Sequence, residues 1–274
     1  MRRLIINADD FGFSVGVTDG ILRAHQEGIL TSTTLMAGMP DAQRAVGLAL
    51  DTPRLGVGMH LCLTQGAPLS KNLSAIVDSS NRFPPTVGKL LARLLINRRA
   101  VTEVEREWSN QIDFALRSDL TPTHLDSHKH VHHLPMLQPV ILRLAQHHKI
   151  AAIRTAREYS LPGDPAPTLG YKVAAHLGRR LATRADKAGI HTTDWFFGLQ
   201  YTGRFSQEVW QQLLANLPPG TGEVMVHPGY SEGLDAAATR LVAERKLELD
   251  ALLAPNLKDE LKRLGVERTT FAEL

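Results

Sequence analysis

Short apolar runs alternate with longer stretches in which apolar residues recur every three or four positions, and this alternation continues along the whole chain. Runs at 4–8 (LIINA), 31–38 (TSTTLMAG), 55–63 (LGVGMHLCL), 123–131 (THLDSHKHV), 151–156 (AAIRTA), 193–199 (TDWFFGL) and 222–229 (GEVMVHPG) have the length and flanking turn residues of buried strands. Helical periodicity predicts helices over 17–28, 41–51, 87–97, 101–117, 134–148, 168–188, 206–217, 238–253 and 256–264. Between 66 and 85 lies a long polar loop containing proline. Strands that alternate with helices pair in parallel through right-handed crossovers. About seven such units over 274 residues predict one α/β domain, 1–274, with a barrel-like closed sheet. In that architecture polar residues at the C-terminal ends of strands are site candidates.

Composition narrows the class without identifying the chemistry. A hydrophobic fraction of 43% and a charged fraction of 22% are those of a globular protein, and no run is long and apolar enough for a membrane span. Net charge is +3 with the basic residues scattered, which argues against a nucleic-acid partner. One cysteine, Cys62, excludes an internal disulfide framework and fits a reducing compartment, so a cytoplasmic location is expected. Cys62 itself reads as a small buried hydrophobe. A homodimer is compatible with all of this. The unusual feature is histidine, of which there are twelve.

The histidines and acids gather at strand ends. Asp9 and Asp10 close the first strand; one Asp there is commonly a helix N-cap, but two adjacent carboxylates need cations or donors to compensate them. His60 ends the third strand, a place where a lone histidine is commonly a core residue. Asp126, His128, His130 and His132 occupy alternate positions, so on a strand they point to one side. Such a row suits metal ligation, with the remaining imidazoles supporting the ligands or touching a sugar; the plain alternative is a solvated histidine-rich loop. His227 precedes Pro228 and Gly229 at the end of a strand, a position for a general acid. Arg154, inside an apolar strand, either reaches solvent or holds a carboxylate in place. Gly12–Gly16 matches G-x-S-x-G, but the strand ends several residues earlier, and Ser14 reads as the N-cap of the first helix.

Taken together, NADDFG near the N-terminus, TSTT at 31–34, GMHL at 58–61, HLDSHKHVH at 124–132 and HPG at 227–229 resemble the YdjC-like carbohydrate deacetylase family, in the expected order and over nearly the whole chain. The resemblance implies a distorted (β/α) barrel and removal of acetyl groups from N-acetylated amino sugars. It also implies one divalent metal ion held by Asp10, His60 and His128, with Asp9 as the base. Arg154 would then orient Asp9, His227 would donate to the departing amine, and His130 and His132 would contact the sugar. Two histidines and a carboxylate suit Zn²⁺, whereas family members are described with Mg²⁺, so the metal stays open. The family pattern often has an unbroken histidine run where Lys129 stands here; on a strand Lys129 faces away from its neighbours. The loop at 66–85 and the insert at 157–190 are expected to wall the pocket. Rival readings are a phosphoesterase using the same ligands and a catalytically silent sugar-binding protein.

Overall fold

The first apolar run becomes the centre of the sheet. In the computed structural model, which describes residues 2–164 and 166–274, β1 (Arg2–Phe11) is buried at every position from Leu4 onward. A strand covered on both faces reads as a continuous apolar run. Its neighbours are β2 (Ser32–Leu35) on one side and β7 (Gly220–Val226) on the other. Beyond β2 come β3 (Gly56–Leu61), β4 (His124–Ser127) and β5 (Ala152–Ile153); beyond β7 comes β6 (Trp195–Phe197). All these pairings are parallel, in the order β5-β4-β3-β2-β1-β7-β6. Two isolated parallel bridges, Ala152 with His191 and Glu158 with Phe196, link the outer strands and curl the sheet toward a barrel. A short β8 (Val266–Arg268), which the sequence pattern did not predict, pairs with the start of β1.

The helices cover the outside of this sheet: α1 (Val15–Gln26), α2 (Ala42–Leu50), α3 (Val87–Ile96), α4 (Ala100–Leu116), α5 (Gln138–His147), α6 (Leu169–Lys187), α7 (Gln207–Ala215), α8 (Ala243–Leu252) and α9 (Pro255–Arg263). Ser14 caps α1 as expected, its Oγ accepting from the Val17 amide at 3.3 Å. Trp108 of α4 and Trp210 of α7 are fully buried in the main apolar core. The long loop after β3 is tied to α4: Glu107 accepts from the amides of Leu69 and Ser70, and Glu103 from those of Ser74, Ala75 and Ile76. Among the described residues no helix is long and apolar enough to cross a membrane.

Several predicted strands are shorter than their patterns, and two of these shortenings bear on the site. The run at 151–156 keeps only Ala152 and Ile153 in β5. The run at 123–131 stops at Ser127, and a 3-10 turn, His128–His133, follows in which Lys129 and His130 take left-handed φ values of 55° and 51°. The Ser127 hydroxyl accepts the His132 amide at 3.0 Å and so folds the chain back on itself. A polar period-two run of this length fits a strand or a turn equally, and here local hydrogen bonding decides.

Candidate active site

Asp9 and Asp10 sit where β1 loses its register with β2, between Ala8 and Phe11. Asp10 adopts φ 72°, a left-handed conformation that Asp tolerates better than most residues. The kink sends the two adjacent carboxylates to different partners. Asp9 meets Arg154, while Asp10 meets His60, His128 and Arg245.

Asp10, His60 and His128 each offer one ligand atom, all within 4.8 Å of one another. Asp10 Oδ1 lies 3.6 Å from His60 Nε2 and 3.4 Å from His128 Nδ1, and it is buried without a hydrogen-bond partner. On its other side His60 Nδ1 donates to Asp126 at 2.8 Å, which leaves Nε2 as the free nitrogen. An orphaned carboxylate oxygen between two imidazole nitrogens fits a divalent ion of the transition series. Burial opposes charge on His60, but Asp126, Asp9 and Asp10 outweigh it and push its pKa up to about 9. Without an ion, a proton on His60 partly balances the acids. His128 is shifted the other way, chiefly by burial. Asp9, His60 and Asp126 also come within 4.8 Å of each other, but Arg154 already occupies both of those carboxylates.

Arg154 is fully buried and gathers three acids. It binds Asp9 through two nitrogens at 2.9 and 2.7 Å, Asp126 at 2.5 Å and Glu223 at 2.6 Å. Of the two readings open from sequence, it therefore holds carboxylates and does not reach solvent. Burial would raise the Asp9 pKa, yet Arg154, with His60 and His227, holds it far below the usual carboxylate range. Glu223 goes the opposite way, to about 8, driven by burial and then by repulsion from Asp126 and Asp9.

His227 follows β7 with Nε2 3.9 Å from Asp9 Oδ2. Its amide donates to Glu248 at 2.5 Å, and its Nδ1 stands 4.0 Å from the same carboxylate without a hydrogen bond. Burial lowers its pKa to about 4 despite the nearby Asp9 and Asp10. Asp9, Asp10, His60, His128 and His227 together line a cleft of about 360 Å³ at the C-terminal mouth of the sheet.

A family model described as YdjC-like protein matches residues 3–263. The chain belongs to the YdjC-like family. Curated relatives from Geobacillus stearothermophilus and Brevibacillus brevis, both named carbohydrate deacetylase, are 36% and 33% identical to it. The alignments cover 99% of this chain in both cases, and 98% and 99% of those proteins. A crystal structure from Enterococcus faecalis, given the working description of a cellobiose-phosphate cleavage protein, superposes with a TM-score of 0.79. It is 26% identical to this chain, and the match covers 99% of this chain and 98% of that one.

Within this YdjC-like chain some expected contacts change. His130 reaches the cleft, but His132 does not. It is fully buried, and because its Nε2 must donate to the Arg154 carbonyl at 3.1 Å, its Nδ1 accepts from Ser127 Oγ at 2.6 Å. The turn after β4 thus puts His132 behind the site as a support for Arg154. Lys129, expected to face away, lines the cleft, with Nζ donating to the Pro85 carbonyl at 2.9 Å. Among the described residues, none of 66–85 or 157–190 lines it; Leu199, Thr202, Met225 and residues 238–241 do. Sequence reasoning passed over Glu223, Arg245 and Glu248. A buried arginine on β5's continuation requires acids, and Glu223 inside the apolar run GEVMV was the signal available.

Proposed function

We propose that this protein is a metal-dependent carbohydrate N-deacetylase that releases acetate from small N-acetylated amino sugars. The observation that carries the reading is the orphaned Asp10 Oδ1 between His60 Nε2 and His128 Nδ1, beside an Asp9 carboxylate that Arg154 keeps ionised. The deacetylase names of the curated relatives, aligned over nearly the whole chain, support the substrate class.

Asp10, His60 and His128 would hold the ion. When bound, it supplies Lewis-acid chemistry, making a water more acidic and favouring negative charge on a carbonyl oxygen. Asp9 takes the proton of the attacking water at Oδ2, the oxygen that faces His227. Its bond pair to Arg154 keeps it in the ionised form that can accept. His227 is neutral at rest, because burial pushes its pKa down to about 4. It therefore acquires its proton during the reaction, from Asp9 Oδ2 at 3.9 Å, and delivers it from Nε2 to the departing amine. The nitrogen leaves as an amine, and the water's oxygen stays in acetate.

Acetate release is the test, on N-acetylglucosamine and its short oligomers, with metal-free protein reloaded in turn with Zn²⁺, Mg²⁺, Co²⁺ or Mn²⁺. Metal-dependent acetate supports the proposal. Cleavage of a phosphate ester with no acetate from any sugar selects the phosphoesterase reading, and sugar binding without turnover selects the silent one.

A further inference from the structure

Asp10 has a second oxygen, and its partner comes from the far end of the chain. Arg245 of α8 is 1% exposed, and its Nη2 donates to Asp10 Oδ2 at 2.6 Å. Its Nε donates to the Leu241 carbonyl at 3.1 Å, and its guanidinium lies 5.7 Å from the centre of the Phe13 ring. One turn further along the same helix, Glu248 accepts from the amides of His227 and Gly203. α8 therefore sends a buried cation to one site residue and a buried anion to another. A carboxylate can give a metal one oxygen or two. With Oδ2 taken by Arg245, only Oδ1 is free to face the histidines.

We propose that Arg245 is a positioning residue of the metal centre: it holds Asp10 Oδ2, so that Asp10 gives the ion a single oxygen and leaves room for water and substrate. Leu241 lines the cleft, so the same guanidinium fixes part of its wall to that ligand. The inference rests on the metal site proposed above, and its test does not use deacetylase activity.

Metal-free wild-type protein, Arg245→Met and Arg245→Lys are titrated with Co²⁺, whose visible d–d absorption weakens as the number of bound atoms rises. Circular dichroism checks folding. In Arg245→Met, Asp10 is free to give both oxygens, and the saturated band loses intensity relative to wild type. Arg245→Lys keeps a cationic donor and stays with the wild-type spectrum. A folded methionine variant with the wild-type spectrum and affinity overturns the proposal, as does a lysine variant indistinguishable from methionine. Should the methionine variant fail to fold, Arg245→Gln, too short to span to Oδ2, takes its place and is read the same way. Wild-type protein that takes up no Co²⁺ removes the metal reading as well as the role of Arg245.

Discussion

Replacing Asp126 by Asn keeps the shape of the side chain and removes half of its hydrogen-bonding character. Asp126 accepts on both oxygens, from His60 Nδ1 at 2.8 Å and from Arg154 at 2.5 Å. An amide has only one oxygen. If it faces His60, its NH₂ group meets the guanidinium, donor against donor, in a fully buried site. If it faces Arg154, the NH₂ group meets His60 Nδ1, which must then accept. The ring proton moves to Nε2, the nitrogen aimed at Asp10, and must be displaced before an ion can bind. Loss of such a supporting carboxylate typically weakens metal affinity roughly 10–100-fold, or about 1.4–2.7 kcal/mol. The measurement is competition against a chelating indicator for Zn²⁺ or Co²⁺. It is made near pH 9, where about half of the wild-type His60 has lost its proton. At lower pH the gap narrows, because the wild type must also shed that proton and the variant's His60 titrates lower. Equal affinity of the two proteins at pH 9 would refute the reasoning.

Asp9→Asn should keep the metal and lower turnover roughly 10²–10⁴-fold, the usual contribution of a general base; Asp10→Asn, His60→Ala and His128→Ala should instead bind metal poorly, and the opposite pattern in metal content reverses the roles of the two acids. Between pH 7 and pH 5, metal-free wild-type protein should lose about 2 kcal/mol of stability relative to a His133→Phe variant. His133 and His227 are pushed by burial to about 3 and about 4 from an ordinary 6.5, so below pH 6.5 the unfolded chain takes up protons that the fold refuses. Each costs about 2 kcal/mol at pH 5, and comparing the two proteins cancels the opposite contributions of Glu158, Glu223 and Glu248, which burial raises to about 8, about 8 and about 7; equal changes in urea midpoint from pH 7 to pH 5 contradict this. Gly222→Ala places a Cβ 2.0 Å from the Trp195 ring across β6 and β7, and thermal unfolding should show a loss of roughly 1–3 kcal/mol or more.

The parts of the fold legible in the sequence were those set by repeating burial. LIINA, LGVGMHLCL and GEVMVHPG are strands because both faces of their sheet are covered, and their polar ends carry Asp9, Asp10, His60 and His227. What escaped is governed by single contacts. The HKHVHH turn depends on one hydroxyl, Ser127, and on two left-handed residues, neither of which leaves a periodic trace. Arg245 and Glu248 lie in AERKLELDAL, where charges at helical spacing look like a solvated face. Nothing local distinguishes them from Lys246 and Asp250 of the same helix, which pair on the surface. Which face points inward is decided by Asp10 and His227, and these are fixed only by the tertiary fold.

The placing of β1 between β2 and β7 also bears on how the molecule comes to exist. Asn7 pairs with Ser32, which follows it closely along the chain, whereas Ala8 pairs with Val226. Contacts of such long sequence separation make folding slow, because the loop must close before the pairing rewards it. A chain emerging from the ribosome N-terminus first carries its innermost strand with one edge unpaired until β7 has been made. The three proposed ligands all precede Arg154, Glu223 and Arg245, which hold their surroundings in place, along the chain. A nascent chain thus carries all three proposed donor residues before β7 and α8 exist to fix Asp9 and Asp10 in the arrangement of the finished fold.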